Sequence, residues 1–400
     1  MNKILLLGGA SQQVVAIQTA KQLGYYTILC DFLADNPGQF YADKFYLIST
    51  TDKDEVLNIA KKERISGVLA YASDPAAPTA AYVAEQLGLP GNPYKSVKIL
   101  CNKDQFREFL LRNGFNAPKA KGYTLKERAI EELKLYRFPV IVKPVDSSGS
   151  KGATVLYNMD NAEEAVDSAF VFSRSRRIIV EEFIEKKHPY LIGGDVFVIK
   201  GRIVLWGLMN CHRDNKANPL VPVGKSYPLV LGEKDIKQVK KVLQKLVSDL
   251  HIENGALNVE LVVDKNDLVW PIDVGPRSGG NMIPELLGYI YNINIPEMCI
   301  RVAMGEFNEF RIGDARPFFA THNLHTIQNG IYQGIDFSQE LERYIIRKCF
   351  YKKRGDLVEF FDNAAKALGI IFMKFESEEQ MYKILSNIDS YIKIYILCKD

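Results

Sequence analysis

Short apolar runs alternate with longer amphipathic stretches through the first quarter of the chain. Residues 3–8 (Lys-Ile-Leu-Leu-Leu-Gly) form a continuous apolar run closed by glycine, the pattern of a strand buried on both faces. Residues 12–23 place apolar side chains at helical spacing and stop at Gly24. A second strand, 26–30, ends at Asp31. A strand over 45–48, a helix over 52–63, a strand over 67–71 and a helix from about Pro75 to Leu87 continue the alternation. Strands alternating with helices predict a doubly wound parallel sheet. Pro90, Gly91 and Pro93 punctuate its end, and a helix over 102–113 follows, stopping at Gly114.

From about 115 to 205 the rhythm changes. A strand at 139–143 runs into a Gly/Ser-rich loop at 146–152. A strand (153–157), a helix (160–172) and three strands (177–182, 194–199 and 202–209) then predict a small α+β unit. A long helix begins at 233, two strands follow at 257–264 and 268–274, and helical segments run to about 304. The stretch 316–400 predicts strands, a helix near 337–345 and a closing strand–helix–strand unit over 368–398. The expected divisions are 1–93, 94–114, 115–205 and 206–400.

Composition narrows the class without naming a function. With 400 residues, 47% hydrophobic and 25% charged, the chain can bury a sizeable core. A net charge of +3 gives no reason to expect nucleic acid or an anionic membrane as partner. Lys237, Lys240, Lys241 and Lys245 recur at helical spacing and are expected on a solvated face. The six cysteines (Cys30, Cys101, Cys211, Cys299, Cys349 and Cys398) form no CxxC and no zinc spacing, which predicts free thiols in a reducing compartment. The first apolar run is too short for a signal peptide, and no apolar stretch approaches the roughly 20 residues that cross a bilayer. A cytoplasmic protein is expected.

Four segments carry candidate chemistry. Lys143 stands at the end of a buried strand, followed by Asp146-Ser-Ser-Gly-Ser-Lys-Gly152; a fixed cation beside a loop rich in N–H and hydroxyl donors suits phosphate, as well as an ordinary hairpin. Lys103, about 40 residues upstream, offers a second cation. Val180-Glu181-Glu182-Phe183-Ile184 is a strand end turning into a linker, whose backbone suits an adenine edge. Glu260 and Asp273 belong to two strands joined by the turn 264–267 and are expected side by side. Paired carboxylates with phosphate oxygens are what Mg²⁺ takes. Arg277 follows within Pro-Arg-Ser-Gly-Gly280, placed to stabilise developing negative charge.

In this order and at these spacings the segments resemble the ATP-grasp superfamily, in its carboxylate–amine ligase branch of biotin carboxylase-like, carbamoyl-phosphate synthase-like and L-amino-acid ligase proteins. The resemblance implies a Rossmann-like α/β domain at 1–93, linker helices at 94–114, a small α+β lobe at 115–205, and a large lobe with a C-terminal subdomain at 206–400. It implies ATP and Mg²⁺ as cofactors, with Mn²⁺ as a substitute, and small-molecule carboxylate and amine substrates. No nucleic acid or membrane partner is implied, and a homodimer is the implied assembly. Lys103 and Lys143 match the phosphate-binding lysines. Ser147, Ser148, Gly149, Ser150 and Gly152 match the closing loop. Glu181 and the backbones of Glu182 and Ile184 match the adenine linker, with apolar Phe183 beside them, and His188 the ribose position. Glu260 and Asp273 match the metal-bridging acids and Arg277 the catalytic arginine.

Two departures stand out. The family's Glu-x-Asn reads Asp273-Val-Gly275, so the asparagine of the metal site is missing and Asn281 is a candidate substitute. The stretch before Asp195 reads Tyr-Leu-Ile-Gly-Gly, lacking the usual acid and serine. Substrate contacts are expected from Ser73, Asp74 and Arg213. His322 and His325 are not expected to form a metal pair, because i and i+3 point to opposite faces of a strand.

Among rivals, a nicotinamide dehydrogenase lacks its G-x-G-x-x-G: Ala10 and Gln13 stand in its place. A Walker-type ATPase lacks its G-x-x-x-x-G-K-[ST]. A non-catalytic nucleotide-binding protein on the same fold, motivated by Gly275, and a bicarbonate-using carboxylase remain as alternatives.

Overall fold

In the computed structural model, which describes residues 1–307 and 310–398, the first apolar run lies inside a four-stranded parallel sheet. Its strands are β1 (Lys3–Leu7), β2 (Tyr26–Asp31), β3 (Lys44–Leu47) and β4 (Gly67–Leu69), in the order β3-β2-β1-β4. Ile4 through Leu7 are essentially inaccessible, as a strand covered on both faces must be. Helix α1 (Val14–Gln22) makes the crossover from β1 to β2 and α2 (Lys53–Glu63) that from β3 to β4, and α3 (Ala77–Leu87) follows β4. Asp31, the residue that would read a ribose in a dinucleotide fold, is engaged by its own loop. Its carboxylate accepts from the Gly9 N–H at 2.6 Å and the Leu33 N–H at 2.9 Å.

Helices α4 (Tyr94–Cys101) and α5 (Lys103–Arg112) lead to a small antiparallel unit. It comprises β5 (Ala120–Tyr123), α6 (Lys126–Leu133), β6 (Val140–Pro144), β7 (Thr154–Leu156), α7 (Ala162–Val171) and β8 (Ile178–Glu182), with strand order β5-β8-β6-β7. Two of the strands expected here lie elsewhere. β9 (Leu191–Ile199) and β10 (Arg202–Arg213) form a hairpin in an eight-stranded sheet, so the small lobe's sheet stops at Glu182 and not near 205. β9 is buried over seven consecutive residues, and its backbone groups pair with β10 on one side and with a later strand on the other. Periodicity shows that such a strand is covered but not which sheet covers it.

The remaining elements are β11 (Pro222–Tyr227), α8 (Glu233–Asp249), β12 (Asn254–Val263), β13 (Val269–Gly275), α9 (Ile283–Tyr291), α10 (Ile295–Ala303), β14 (Phe319–Leu324), β15 (Gly330–Phe337), α11 (Gln339–Glu342), β16 (Ile345–Phe350), β17 (Leu357–Val358), β18 (Gly369–Lys374), α12 (Glu378–Leu385) and β19 (Ile392–Leu397). The large sheet runs β13-β12-β9-β10-β11-β14-β18-β16, and β17-β15-β19 form a small third layer. The expected helix at 337–345 shrinks to the single turn of α11. The closing strand–helix–strand unit exists, but its strands β18 and β19 join different sheets.

Helix α8 buries Val239, Leu243, Leu246 and Val247 against the large sheet, at the spacing of one helical stripe. Of the lysines on its other face, Lys237, Lys241 and Lys245 are exposed and Lys240 lies over the Trp206 ring. All six cysteines are unpaired. Among the described residues no helix is long and apolar enough to cross a membrane.

Candidate active site

A cavity of about 540 Å³ opens where the parallel domain, the Gly/Ser loop and the large sheet meet. Its wall includes Asp74, Ser148–Lys151, Lys225, Asn258, Glu260, Asp273, Arg277 and Asn281. Residues more than 200 positions apart in sequence thus face one space. The Gly/Ser loop spans to the far side: the Ser150 hydroxyl donates to the Leu220 carbonyl at 3.0 Å, and Gly149 packs beside Ala364. Ser150, Gly149 and Gly152 all have φ between 61° and 69°, the left-handed region that glycine enters without strain.

Helix α5 ties the lobes together through one face. Lys103 and Arg107, at i and i+4, point the same way. The Lys103 ammonium donates to the Ser147 carbonyl at 3.0 Å and stands 3.7 Å from Asp273. Arg107 donates to the Glu181 carboxylate at 3.0 Å and to the Ile272 carbonyl at 2.7 Å. Ile272 lies at an irregularity between β12 and β13, and such a bulge leaves a backbone group without a ladder partner. Lys143 pairs with the same Glu181 from the small lobe. Arg107 and Glu181 are each only 2% exposed, so this is a buried two-cation, one-anion cluster. Burial alone would raise Glu181, but the charges of Arg107 and Lys143 outweigh it and hold the carboxyl down at about 2.

Glu260 and Asp273 are directly opposite on adjacent antiparallel strands. Paired cross-strand side chains leave roughly 5 Å between Cβ atoms. Two carboxylates so placed fit Mg²⁺ when phosphate oxygens complete its shell; among the described residues no group of three or more His, Cys, Asp or Glu side chains forms a metal cage of its own. In this structure each acid faces a cation: Arg213 lies 3.3 Å from Glu260, and Lys103 faces Asp273. Desolvation would push half-exposed Asp273 up, but Lys103, Lys143, Arg107 and Arg277 outweigh it and hold the carboxyl below the usual aspartate range.

Arg277 is forked by Asp74 from the parallel domain, its Nε donating to Oδ1 at 2.7 Å and its Nη2 to Oδ2. Gly275 makes the room. A Cβ there would stand 2.7 Å from Asp74 Oδ1 and 3.2 Å from the Arg277 guanidinium carbon. The missing asparagine is therefore coupled to an acid 201 positions earlier in the chain. Gly275→Asn should displace the Asp74 carboxylate, because a flexible side-chain end gives way before backbone does. In a double-mutant cycle with Asp74→Ala, the cost of Gly275→Asn should fall by about 0.5–3 kcal/mol, the usual coupling of touching residues. Additive costs, measured by denaturant unfolding, would remove the link between the two positions.

A family model described as an ATP-grasp domain matches residues 136–285. Those residues are an ATP-grasp domain. The matched span holds Lys143, the Gly/Ser loop, Glu181, Glu260, Asp273 and Arg277. Among curated proteins, the chain is 24% identical over 304 residues to the carbamoyl phosphate synthase large chain, C-terminal section, of Aquifex aeolicus, covering 73% of this chain and 54% of that one. It is 24% identical over 335 residues to the carbamoyl phosphate synthase large chain of Clostridium botulinum, covering 79% and 30%. The chain thus spans about half the length of the first relative and under a third of the second. Among solved structures, it superposes on an L-amino acid ligase from Bacillus licheniformis with a TM-score of 0.81 at 20% identity, covering 99% of both chains. A phosphoribosylglycinamide synthetase from Anaerococcus prevotii gives 0.75 at 23% identity, covering 99% of this chain and 100% of that one. These likenesses carry the fold.

Several expectations about the site residues need correcting. His188, expected at a ribose, has both ring nitrogens engaged by backbone: Nε2 accepts from the Val263 N–H at 3.0 Å and Nδ1 faces the Tyr190 carbonyl. The N–H groups of Glu182 and Phe183 donate to Lys119 and Pro139 carbonyls at 3.0 Å, so neither is offered to an adenine edge. Glu181 turns its carboxylate inward to Lys143 and Arg107. Ser73 does not line the cavity; its carbonyl accepts from Ala77 at the start of α3. Outside the domain, His322 and His325 do meet, with ring centroids 5.6 Å apart, because β14 ends at Leu324 and strand alternation stops before His325. His325 is engaged by Asp214 at 3.0 Å.

Sequence reasoning missed Arg107, Lys225 and the Asp195–Asn258 pair. Arg107 carried a readable signal, one helical turn beyond Lys103. Asp195 did not. Its carboxylate accepts from Asn258 at 2.9 Å and from the Gly279 N–H at 2.8 Å, pinning the loop that carries Arg277. Burial pushes it up to about 6.

Proposed function

We propose that this chain is an ATP- and Mg²⁺-dependent carboxylate–amine ligase that releases ADP and phosphate. The observation that carries the proposal is the convergence of Glu260, Asp273, Arg277 and the Gly/Ser loop on one cavity, with Lys103 beside Asp273 and a buried Lys143 paired to Glu181. The residues Ser147–Gly152, with Lys103 and Lys143, hold the triphosphate, and the adenine lies at the Ile184 end of the linker, where the backbone is not taken up by the Glu182 and Phe183 pairings. Glu260 and Asp273 would hold Mg²⁺, which when bound would neutralise phosphate charge and lower the repulsion met by an attacking carboxylate.

An acid oxygen attacks the γ-phosphorus as its bond to the β-phosphate oxygen breaks, leaving an acyl phosphate and ADP. An amine nitrogen then attacks the acyl carbon, the carbon–oxygen bond to phosphate breaks, and the amine gives up a proton. Arg277 and the N–H groups at 278–281 stabilise the oxyanion of that second step. The Gly/Ser loop, bridged to Leu220, keeps water from the acyl phosphate. Asp74 reaches substrate from beside Arg277, which it holds, and Arg213 does so once Glu260 turns to the metal.

A coupled assay of the full chain, with pooled amino acids and small carboxylic acids, tests the proposal. ADP release requiring both an acid and an amine is expected. Release with bicarbonate alone assigns the carboxylase alternative. Tight ATP binding without ADP release in any pool leaves only a nucleotide-binding module.

A further inference from the structure

The cations on the cavity wall are not equivalent. Arg213 faces Glu260 and Arg277 faces Asp74. Lys225 is only 5% exposed, yet among the described residues no carboxylate pairs with its ammonium; the nearest polar atom is the Cys211 thiol, opposite it across β10 and β11. A thiol is a weak partner for a buried ammonium. Burying a charge without an opposite one costs several kcal/mol, and an anion that enters the cavity beside Lys225 would offset that cost.

The ammonium also points somewhere specific. It reaches over β10 to lie above Gly193 of β9, where a Cβ would stand 3.1 Å from Nζ and 2.5 Å from the Cys211 sulfur. Any side chain at 193 would fill this place. Gly193 is itself directly opposite Glu260. The lysine head is therefore brought beside Glu260 from the β11 side, whereas Lys103 reaches Asp273 from the β13 side of the sheet. Lys143, joined through Glu181 and Arg107 to the Ile272 carbonyl, also lies on the β13 side, which leaves the second anion of the reaction for Lys225.

We infer that Lys225 binds the carboxylate of the acid substrate, at the part of the cavity wall that it shares with Glu260 and Asn258. The inference rests on the ligase proposal for the identity of that anion and on geometry for its place.

The test uses the full chain and two variants, Lys225→Met, which keeps the length without the charge, and Lys225→Arg. The probe is a pool of small mono- and dicarboxylic acids and amino acids, titrated in the presence of Mg²⁺ and a non-hydrolysable ATP analogue, with thermal midpoint and calorimetry as readouts. The pool should stabilise the wild type. Lys225→Met should need at least a tenfold higher pool concentration for the same response, and Lys225→Arg should recover part of the loss. Affinity for the nucleotide analogue should change less than about twofold in both variants, which also shows that they fold. An equal response of Lys225→Met and wild type overturns the inference. So does a wild type with no response to the pool, or a Lys225→Met variant that loses nucleotide affinity instead, which would place the lysine on phosphate. ADP release is measured in parallel. A Lys225-dependent response without ADP release sinks the ligase proposal and leaves the carboxylate site standing; ADP release equal in all three proteins does the reverse.

Discussion

Arg277→Ala is expected to lower ligation by roughly 100- to 1,000-fold, the usual cost of removing one donor from a developing oxyanion, while ATP affinity changes little. The expectation follows from where the charges lie. In the proposed site Lys143 and the Gly/Ser loop would meet the nucleotide from the small lobe, and Lys103 approaches Asp273 from α5. Arg277 comes from the far end of the carboxylate pair and is held by Asp74 of the parallel domain. Its guanidinium is raised above even the usual arginine range, chiefly because the Asp74 charge outweighs burial. Arg277 is thus a permanent cation, positioned by a different domain from the one that holds ATP. Steady-state ADP release at saturating ATP, together with a nucleotide titration, separates the two effects. Ligation at the wild-type rate would remove Arg277 from the chemistry, and lost ATP affinity would move it to the nucleotide.

Glu181→Ala is expected to destabilise the small lobe by about 3–5 kcal/mol, the range for removing one member of a buried ionic group. The variant leaves Arg107 and Lys143 facing each other with no anion between them. Because the chain has several lobes, a single unfolding midpoint would mix their contributions; hydrogen exchange of the amides in β6 and β8 reads the affected unit directly. The effect carries a pH signature. The folded-state value of Glu181, about 2, lies below the roughly 4.3 of an unfolded glutamate. Its contribution is therefore present in full above the unfolded value and lost as pH falls towards 2. The gap between wild type and variant should narrow across that window and stay constant above about pH 5. A gap that is already small at neutral pH would show that the two cations rearrange without their acid.

Much of this protein is legible in its amino-acid order. The strand β1 and its neighbours follow from continuous apolar runs, since a strand covered on both faces has little choice of composition. Lys143 with its Gly/Ser loop, and the acids Glu260 and Asp273 either side of a short turn, are visible because local chain geometry brings each set together. The expectation that these acids would be direct neighbours is met residue for residue in the β12–β13 register.

Three features are out of reach of such reading, for one reason. The sheet to which β9 belongs, the filling of the space at Gly275 by Asp74, and the placing of Lys225 above Gly193 each depend on segments distant along the chain. A periodic pattern shows which residues are covered, and a turn shows which strands are adjacent; neither states what arrives from elsewhere to do the covering. His188 makes the point in the other direction: its place in the sequence suggests a ligand, and packing gives both its nitrogens to backbone instead. The local parts, namely the parallel strands, the phosphate loop and the carboxylate pair, are set by patterns within short stretches of chain. Which cation faces which acid, and which lysine has none, is set by the closed fold, because side-chain pairing is settled by desolvation among groups that meet only after distant segments have packed together.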